Sequence, residues 1–147
     1  MLIKLIEDLA QKDIEVLIKF ARKNRTVNRL ISLITSVDRE IKCTNEQNDQ
    51  TWIKAMDIYY FESIDKKTFV YCEKLVYRTE YRLYELLQQL SDSGFVQISK
   101  SCIVNINALE SIKSLPNSRI EATLSNGERI NITRKYITDI KVKLEER

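Results

Sequence analysis

"GFVQISKSCIVNI", residues 94–106, sets two short apolar runs on either side of a polar hinge. Phe95, Val96 and Ile98 come before it, and Cys102, Ile103 and Val104 after it. Each run has the length of a strand, and the second reads as a buried one. Two readings of Ser99, Lys100 and Ser101 stand at this point. They are simply where a loop ends, or they hold a hydroxyl and an ammonium against a partner.

Working outward, the chain past residue 50 reads as mostly β. Residues 57–63 ("DIYYFES") and 67–72 ("KTFVYC") are aromatic-rich runs joined by a hairpin, and residues 74–78 predict a third meander strand. Leu83, Leu86, Leu87 and Leu90 mark one face of a helix, with Thr79 expected to cap its start and Gly94 just beyond its end. Further strands follow in "FVQI", "CIVN", "LESIKSL", "RIEATL" and "RINIT". Asn126-Gly127 predicts a type I′ turn between the last two. A short amphipathic helix bearing Tyr136, Ile137, Ile140 and Leu144 closes the chain.

The first fifty residues have a different character. Ile14, Val16, Ile18 and Phe20 alternate, which predicts a strand over residues 14–21. Val27, Leu30, Ile31, Ile34, Val37 and Ile41 then fall at helical spacing, with Thr26 available as N-cap. The polar residues 42–50 predict a loop and a boundary. The expected division is a strand-plus-helix extension over 1–50 and a β-rich domain over 51–147. No tandem repeat occurs, and no two helices are placed side by side as a helix-turn-helix requires.

Composition excludes several classes of function. The 147 residues suit one medium domain, or a small one with an accessory element. An apolar fraction of 44% with 31% charged residues describes a soluble globular protein. No apolar run approaches the roughly 20 residues of a membrane span, and the N-terminus is too acidic for a secretory signal. Three widely spaced cysteines argue for reduced thiols and a cytoplasmic location. With no histidine and only two glycines, histidine-based nucleophilic catalysis and a glycine-rich phosphate cradle are both excluded. Glu145 with Glu146, and Asp38 with Glu40, sit in solvated charge runs. An enzyme is therefore not expected, nor a metal, a cofactor or a small-molecule substrate. The net charge of +3 identifies no nucleic-acid binder by itself. From Gly94 onward, however, nine Lys or Arg stand against six Asp or Glu.

Three fragments in order carry a more specific signal. "DIYYFESIDKKTFVYC", "GFVQISKSCIVNI" and "SNGERINITRKYI" together resemble the LytTR family of bacterial DNA-binding domains, over residues 56–144. The fold class this implies is mainly β (a β-rich α+β fold). It is a LytTR-like multi-sheet β platform with one embedded helix and a C-terminal helix, preceded here by the small α+β extension. The resemblance also implies a transcriptional regulator that reads the major groove of double-stranded DNA with loops rather than with a helix.

Candidate contacts follow position by position. Lys100 stands where the family places a DNA-reading residue, and its ammonium can serve guanine or phosphate. Ser99 assists from the same loop, while Ser101 is expected to tie down backbone. Arg134 in "ITRKY" offers a planar fork for bidentate guanine readout, and Lys135 a phosphate contact. The bland alternatives are a solvated lysine at Lys100 and a surface ion pair between Arg134 and Asp139. The hairpin contributes Thr68, by hydroxyl or methyl, with Lys66 and Lys67 for the DNA backbone. Asn105 and the cysteines read as structural, and Tyr59, Phe61, Phe69 and Tyr71 as sheet core rather than a base-stacking platform.

About fifty residues before the β domain leave no room for a phosphoacceptor receiver. The resemblance is instead to stand-alone LytTR regulators, which are often restrained by a small membrane protein. The face of Leu30, Ile34 and Val37 has two open readings: association, with a second copy or such a partner, or packing onto its own chain. A homodimer on repeated half-sites is the expected assembly. The competing function is an interaction module of the same fold that has lost DNA binding.

Overall fold

The structure, a computed structural model, describes residues 1–146. The elements run α1 (Arg25–Val37), β1 (Glu40–Thr44), β2 (Gln50–Lys54), β3 (Ile58–Ile64), β4 (Lys67–Cys72), β5 (Val76–Thr79) and α2 (Leu83–Leu90). They continue with β6 (Phe95–Ser99), β7 (Cys102–Asn105), β8 (Leu109–Ser114), β9 (Ile120–Leu124), β10 (Arg129–Ile132) and α3 (Ile137–Glu146). Seven strands form an antiparallel sheet in the order β2-β1-β5-β4-β3-β7-β6, and three form a second, β10-β9-β8.

Each face of the large sheet is buried against something different. On one face Ile58, Phe61, Val70, Phe95 and Ile103 meet Leu86 and Leu90 of α2. On the other, Tyr60, Val96, Ile98, Cys102 and Val104 meet Ala122, Leu124 and Ile132 of the small sheet and Ile140 of α3. β7 is buried at all four positions. That explains its unbroken apolar run, because a strand covered on both faces has no solvent side to make polar. Every such side chain contributes roughly 1.5–3 kcal/mol of hydrophobic stabilisation. Of the aromatics expected in the core, Phe61 is fully buried. Tyr59 and Tyr71 pack half-buried against the core beneath the small sheet, Tyr71 stacking on Tyr60 at 4.2 Å, whereas Phe69 is half-buried and joins neither core.

The local signals misplace several details. Asn24, not Thr26, caps α1, its side chain accepting from the Val27 N–H. Thr79 does not cap α2; its hydroxyl donates to the Lys42 carbonyl, and Glu85 reaches back to the Arg82 N–H instead. Asn126-Gly127 is not type I′. Of the two only Gly127 has positive φ (+88°), and its N–H donates to the Leu124 carbonyl, as in a type I turn closed by a left-handed glycine. The expected loop over 42–50 is partly β1, which pairs with both β2 and β5 and so joins the large sheet from before residue 50.

The largest difference lies at the N-terminus. No strand forms over residues 14–21, and residues 1–24 hold no helix or strand. Alternation makes a strand only where a neighbouring edge supplies backbone partners, and among the described residues this segment pairs with no strand. α1, by contrast, packs on its own chain through one side. Val27 and Ser36 are buried, Thr35 Oγ1 donates to the Asp92 carbonyl, and Ser32 Oγ accepts from Asn107 Nδ2. Ile34 and Val37 stay exposed on the other side.

Two outcomes test this packing. Gly94 has φ +87°, and a Cβ there would lie 2.6 Å from Ser32 Oγ, whereas a Cβ on Gly127 (φ +88°) meets nothing within 4 Å. Gly94→Ala should therefore cost more in urea denaturation than Gly127→Ala, whose loss is confined to the left-handed strain of roughly 1–2 kcal/mol. Equal losses would mean that α1 does not dock against Gly94. The second outcome concerns pH. Burial pushes the Cys43 thiol from 9.0 up to about 12 and the Cys72 thiol up to about 11, with Cys72 and Asp57 respectively as minor causes. The raised values mean that both groups contribute stability in full below pH 9.0 and lose it as pH rises through about 11–12. The melting temperature should fall across that window, and Cys43→Val should flatten the fall.

Candidate nucleic-acid interface

Three turns meet at one end of the large sheet. β3 and β4 close through Asp65 and Lys66, both at positive φ (51° and 66°), between the paired Ile64 and Lys67. This two-residue type I′ geometry matches strand twist, although neither residue is the usual glycine. β6 and β7 close through Lys100 and Ser101 between the paired Ser99 and Cys102. β10 leads through Thr133 into a 3-10 turn, Arg134–Tyr136, at the start of α3.

Backbone hydrogen bonds tie these turns into a row. The Ser63 N–H donates to the Ser101 carbonyl at 2.8 Å, joining the first turn to the second. The Thr133 N–H donates to the Ile98 carbonyl at 2.9 Å, joining the third to the end of β6. Side chains on such turns inherit their directions from buried strands, which is the rigidity that reading base edges needs.

Most of the residues singled out from sequence reach this edge. Lys66, Lys67, Lys100, Arg134 and Lys135 are all exposed. Ser99 is half-buried and its Oγ accepts from the Ser101 N–H, so the hydroxyl that fixes the turn belongs to Ser99 rather than Ser101. Arg134 forms no ion pair with Asp139 among the described residues; its Nε donates to the Ser118 carbonyl at 3.1 Å. That bond leaves the two Nη groups for another acceptor. Lys135 Nζ lies 5.6 Å from the centroid of the Tyr136 ring.

Thr68 does not belong to the site. It is 4% exposed and pairs with Ser63 and Thr79 inside the sheet. It shares strand parity with Val70, which faces α2, so its hydroxyl and methyl are turned into the sheet's buried face rather than to the exposed edge. Sequence alone left this parity ambiguous, because Phe69 and Tyr71 on the opposite face are equally apolar.

Two cations were missed. Arg82, exposed at the start of α2, donates from Nη1 to the Lys66 carbonyl and so braces the first turn. A signal did exist, since the positive end of a helix dipole disfavours a cation. Arg119 lies next to Ser118, the acceptor of Arg134, and only the β8–β9 connection brings it there. Asp65 and Glu80 are the carboxylates interspersed at this end. Among the described residues no cluster could hold a metal ion, and no helix is long and apolar enough to cross a membrane.

Asn105 secures the platform. It is 3% exposed, with Nδ2 donating to the Ile58 carbonyl at 2.9 Å and Oδ1 accepting from the Asn107 N–H at 3.0 Å.

The chain is similar in sequence and fold to known proteins. The family model described as LytTr DNA-binding domain matches residues 49–145. An uncharacterized HTH-type transcriptional regulator of Staphylococcus aureus (strain NCTC 8325 / PS 47) is 30% identical over 113 residues, covering 77% of this chain and 70% of that protein. The sensory transduction protein LytT of Enterococcus faecalis (strain ATCC 700802 / V583) is 24% identical over 97 residues, 65% of this chain and 40% of its own length. Among solved structures, a LytTr DNA-binding domain from Bacillus cereus superposes with a TM-score of 0.65 at 26% identity, covering 71% of this chain and 95% of that one.

Asn105→Leu should destabilise the protein by roughly 1–3 kcal/mol in urea denaturation, because it leaves the Ile58 carbonyl and the Asn107 N–H buried without partners. A neutral result would remove Asn105 from the account of the platform.

Proposed function

The chain belongs to the LytTR family of DNA-binding domains, and on that premise we propose that it is a transcription regulator reading duplex DNA through the three-turn edge. The observation that carries the reading is the convergence of Lys100 and Arg134 on turns linked by the Ser63–Ser101 and Thr133–Ile98 hydrogen bonds. Arg134 takes a guanine bidentately, and Lys100 takes guanine O6 or N7 or the adjacent phosphate. Lys66, Lys67 and Lys135 neutralise phosphates, and Ser99 holds the β6–β7 turn in shape. Arg82 joins them by fixing the first turn.

One such module makes few base contacts, so two of them on repeated half-sites supply the affinity and the specificity. The working form is therefore a homodimer, acting in the cytoplasm where the DNA is. Restraint by a small membrane protein is part of the same reading and rests on the resemblance to stand-alone regulators alone.

The test is binding of the full chain to duplex DNA from its own upstream region, with excess nonspecific competitor. Arg134→Ala should lose about 1–3 kcal/mol of binding and relax the preference at one base pair. Lys135→Ala should weaken all sequences alike and lower the salt slope by about one. Thr68→Val should leave binding unchanged. Binding that competitor abolishes, with Lys100→Ala and Arg134→Ala no worse than the parent, would favour the interaction-module function instead.

A further inference from the structure

Ten large apolar side chains in the first twenty residues stand exposed, Leu5 at 93% and Leu17 at 73% among them. Apolar side chains scattered singly over a surface are ordinary, but ten in one twenty-residue arm are not, and such a concentration marks an interaction segment. Hydrogen bonds within this arm are local: the Gln11 and Ala10 N–H groups donate to Asp8 and the Ile14 N–H to Asp13. Meanwhile, among the described residues, β2 pairs only with β1, so one row of its backbone groups is open, and Trp52 beside that row is 57% exposed. The opposite edge of the sheet, β6, is shielded by β10 and α3. Native sheets rarely leave an edge that combines open backbone with an exposed aromatic.

We propose that residues 14–20 of one copy add as an antiparallel strand to β2 of a second copy, and that the exchange is reciprocal. Charge selects the direction. With Leu17 opposite Trp52, antiparallel pairing sets Glu15 beside Lys54 and Lys19 beside Gln50. Parallel pairing would set Lys19 against Lys54, a like-charge pair that destabilises a sheet. In the antiparallel register Val16 and Ile18 fall on the other face, alongside Ile53 and Thr51. Ile53 packs against the core that α2 covers, so the added strand extends that core.

A second copy fits better than the arm's own body. The arm joins α1 at Arg25, while beyond the opposite end of that helix Arg39 accepts from the Ala55 N–H next to β2. Thirteen helical residues, about 20 Å, separate the arm's junction from that end, and in the single chain the arm leaves the β2 edge unpaired. A lipid surface fits less well. Residues 1–24 carry five Lys or Arg against four Asp or Glu, without the basic excess that anionic membranes attract. Because arm and edge belong to one sequence, mutual exchange closes a two-fold dimer with no surface left over.

The inference rests on the dimeric part of the proposed function, and its test separates the two. Full-length Leu17→Cys/Trp52→Cys is oxidised and run without reductant, beside Leu17→Cys/Ile53→Cys, whose residues lie on opposite faces in this register. The expected result is a covalent dimer from the first pair and none from the second. A crosslinked monomer would assign the edge to the chain's own arm, and no crosslink would overturn strand addition. In sedimentation, Leu17→Asp should weaken dimerisation at least about tenfold per arm while the monomer keeps its native circular dichroism, since the side chain it removes is exposed in the single chain. Unchanged dimerisation would overturn the proposal, as would transfer of the arm to vesicles of phosphatidylserine and phosphatidylcholine. DNA binding is read in parallel. A crosslinked dimer that fails to bind DNA counts against the DNA reading alone. A protein that binds DNA yet neither dimerises nor crosslinks counts against the exchange alone.

Discussion

The burial of β7 on both faces is the constraint on which the rest depends. Cys102 and Val104 complete the core beneath the small sheet, while Ile103 completes the core beneath α2. A strand with no solvent face cannot slip by one residue without turning Asn105 and the whole apolar set the wrong way. Its neighbours β3 and β6 are held to that register, and the turn before it is held with them. Lys100 thus occupies its position because the four residues after Ser101 have nowhere else to go.

The division of labour between core and edge follows from energetics. Buried apolar side chains and satisfied backbone groups carry the stability, whereas exposed lysines and arginines contribute little to it. The cations at the three turns are therefore free to be chosen for a partner. Arg134 and Arg82 spend one hydrogen bond each on a backbone carbonyl, which orients the guanidinium while leaving other N–H groups available. The buried thiols, pushed up by desolvation, take no part in this chemistry and serve as packing.

Much of the fold was legible in the sequence because it is written in local patterns. The leucine face of α2, the aromatic runs of β3 and β4 and the apolar face of α3 all appear at the expected places. The cations of the three turns were legible as exposed turn residues as well: Lys66, Lys67, Lys100, Arg134 and Lys135 sit where punctuation by polar residues marks them. The misses share a cause. Thr68 was misassigned because both faces of β4 are apolar. Arg119 and Arg82 went unnoticed because their neighbours at the edge are far away in the chain. The alternation over 14–20 is a sound strand signal, yet in the single chain it pairs with no strand of the described residues.

Sequence by itself therefore determined most of the strands and helices past residue 50, which cations lie on the turns, and the family. All of these depend on periodicity and residue type over a few positions. Tertiary structure alone decided which turns become neighbours, which face Thr68 takes, how α1 docks against Gly94, and that the arm is left without a partner. Those depend on pairing between strands remote in sequence. Pairing is a matter of backbone hydrogen bonds and shared burial, and a local pattern does not record who the partner is.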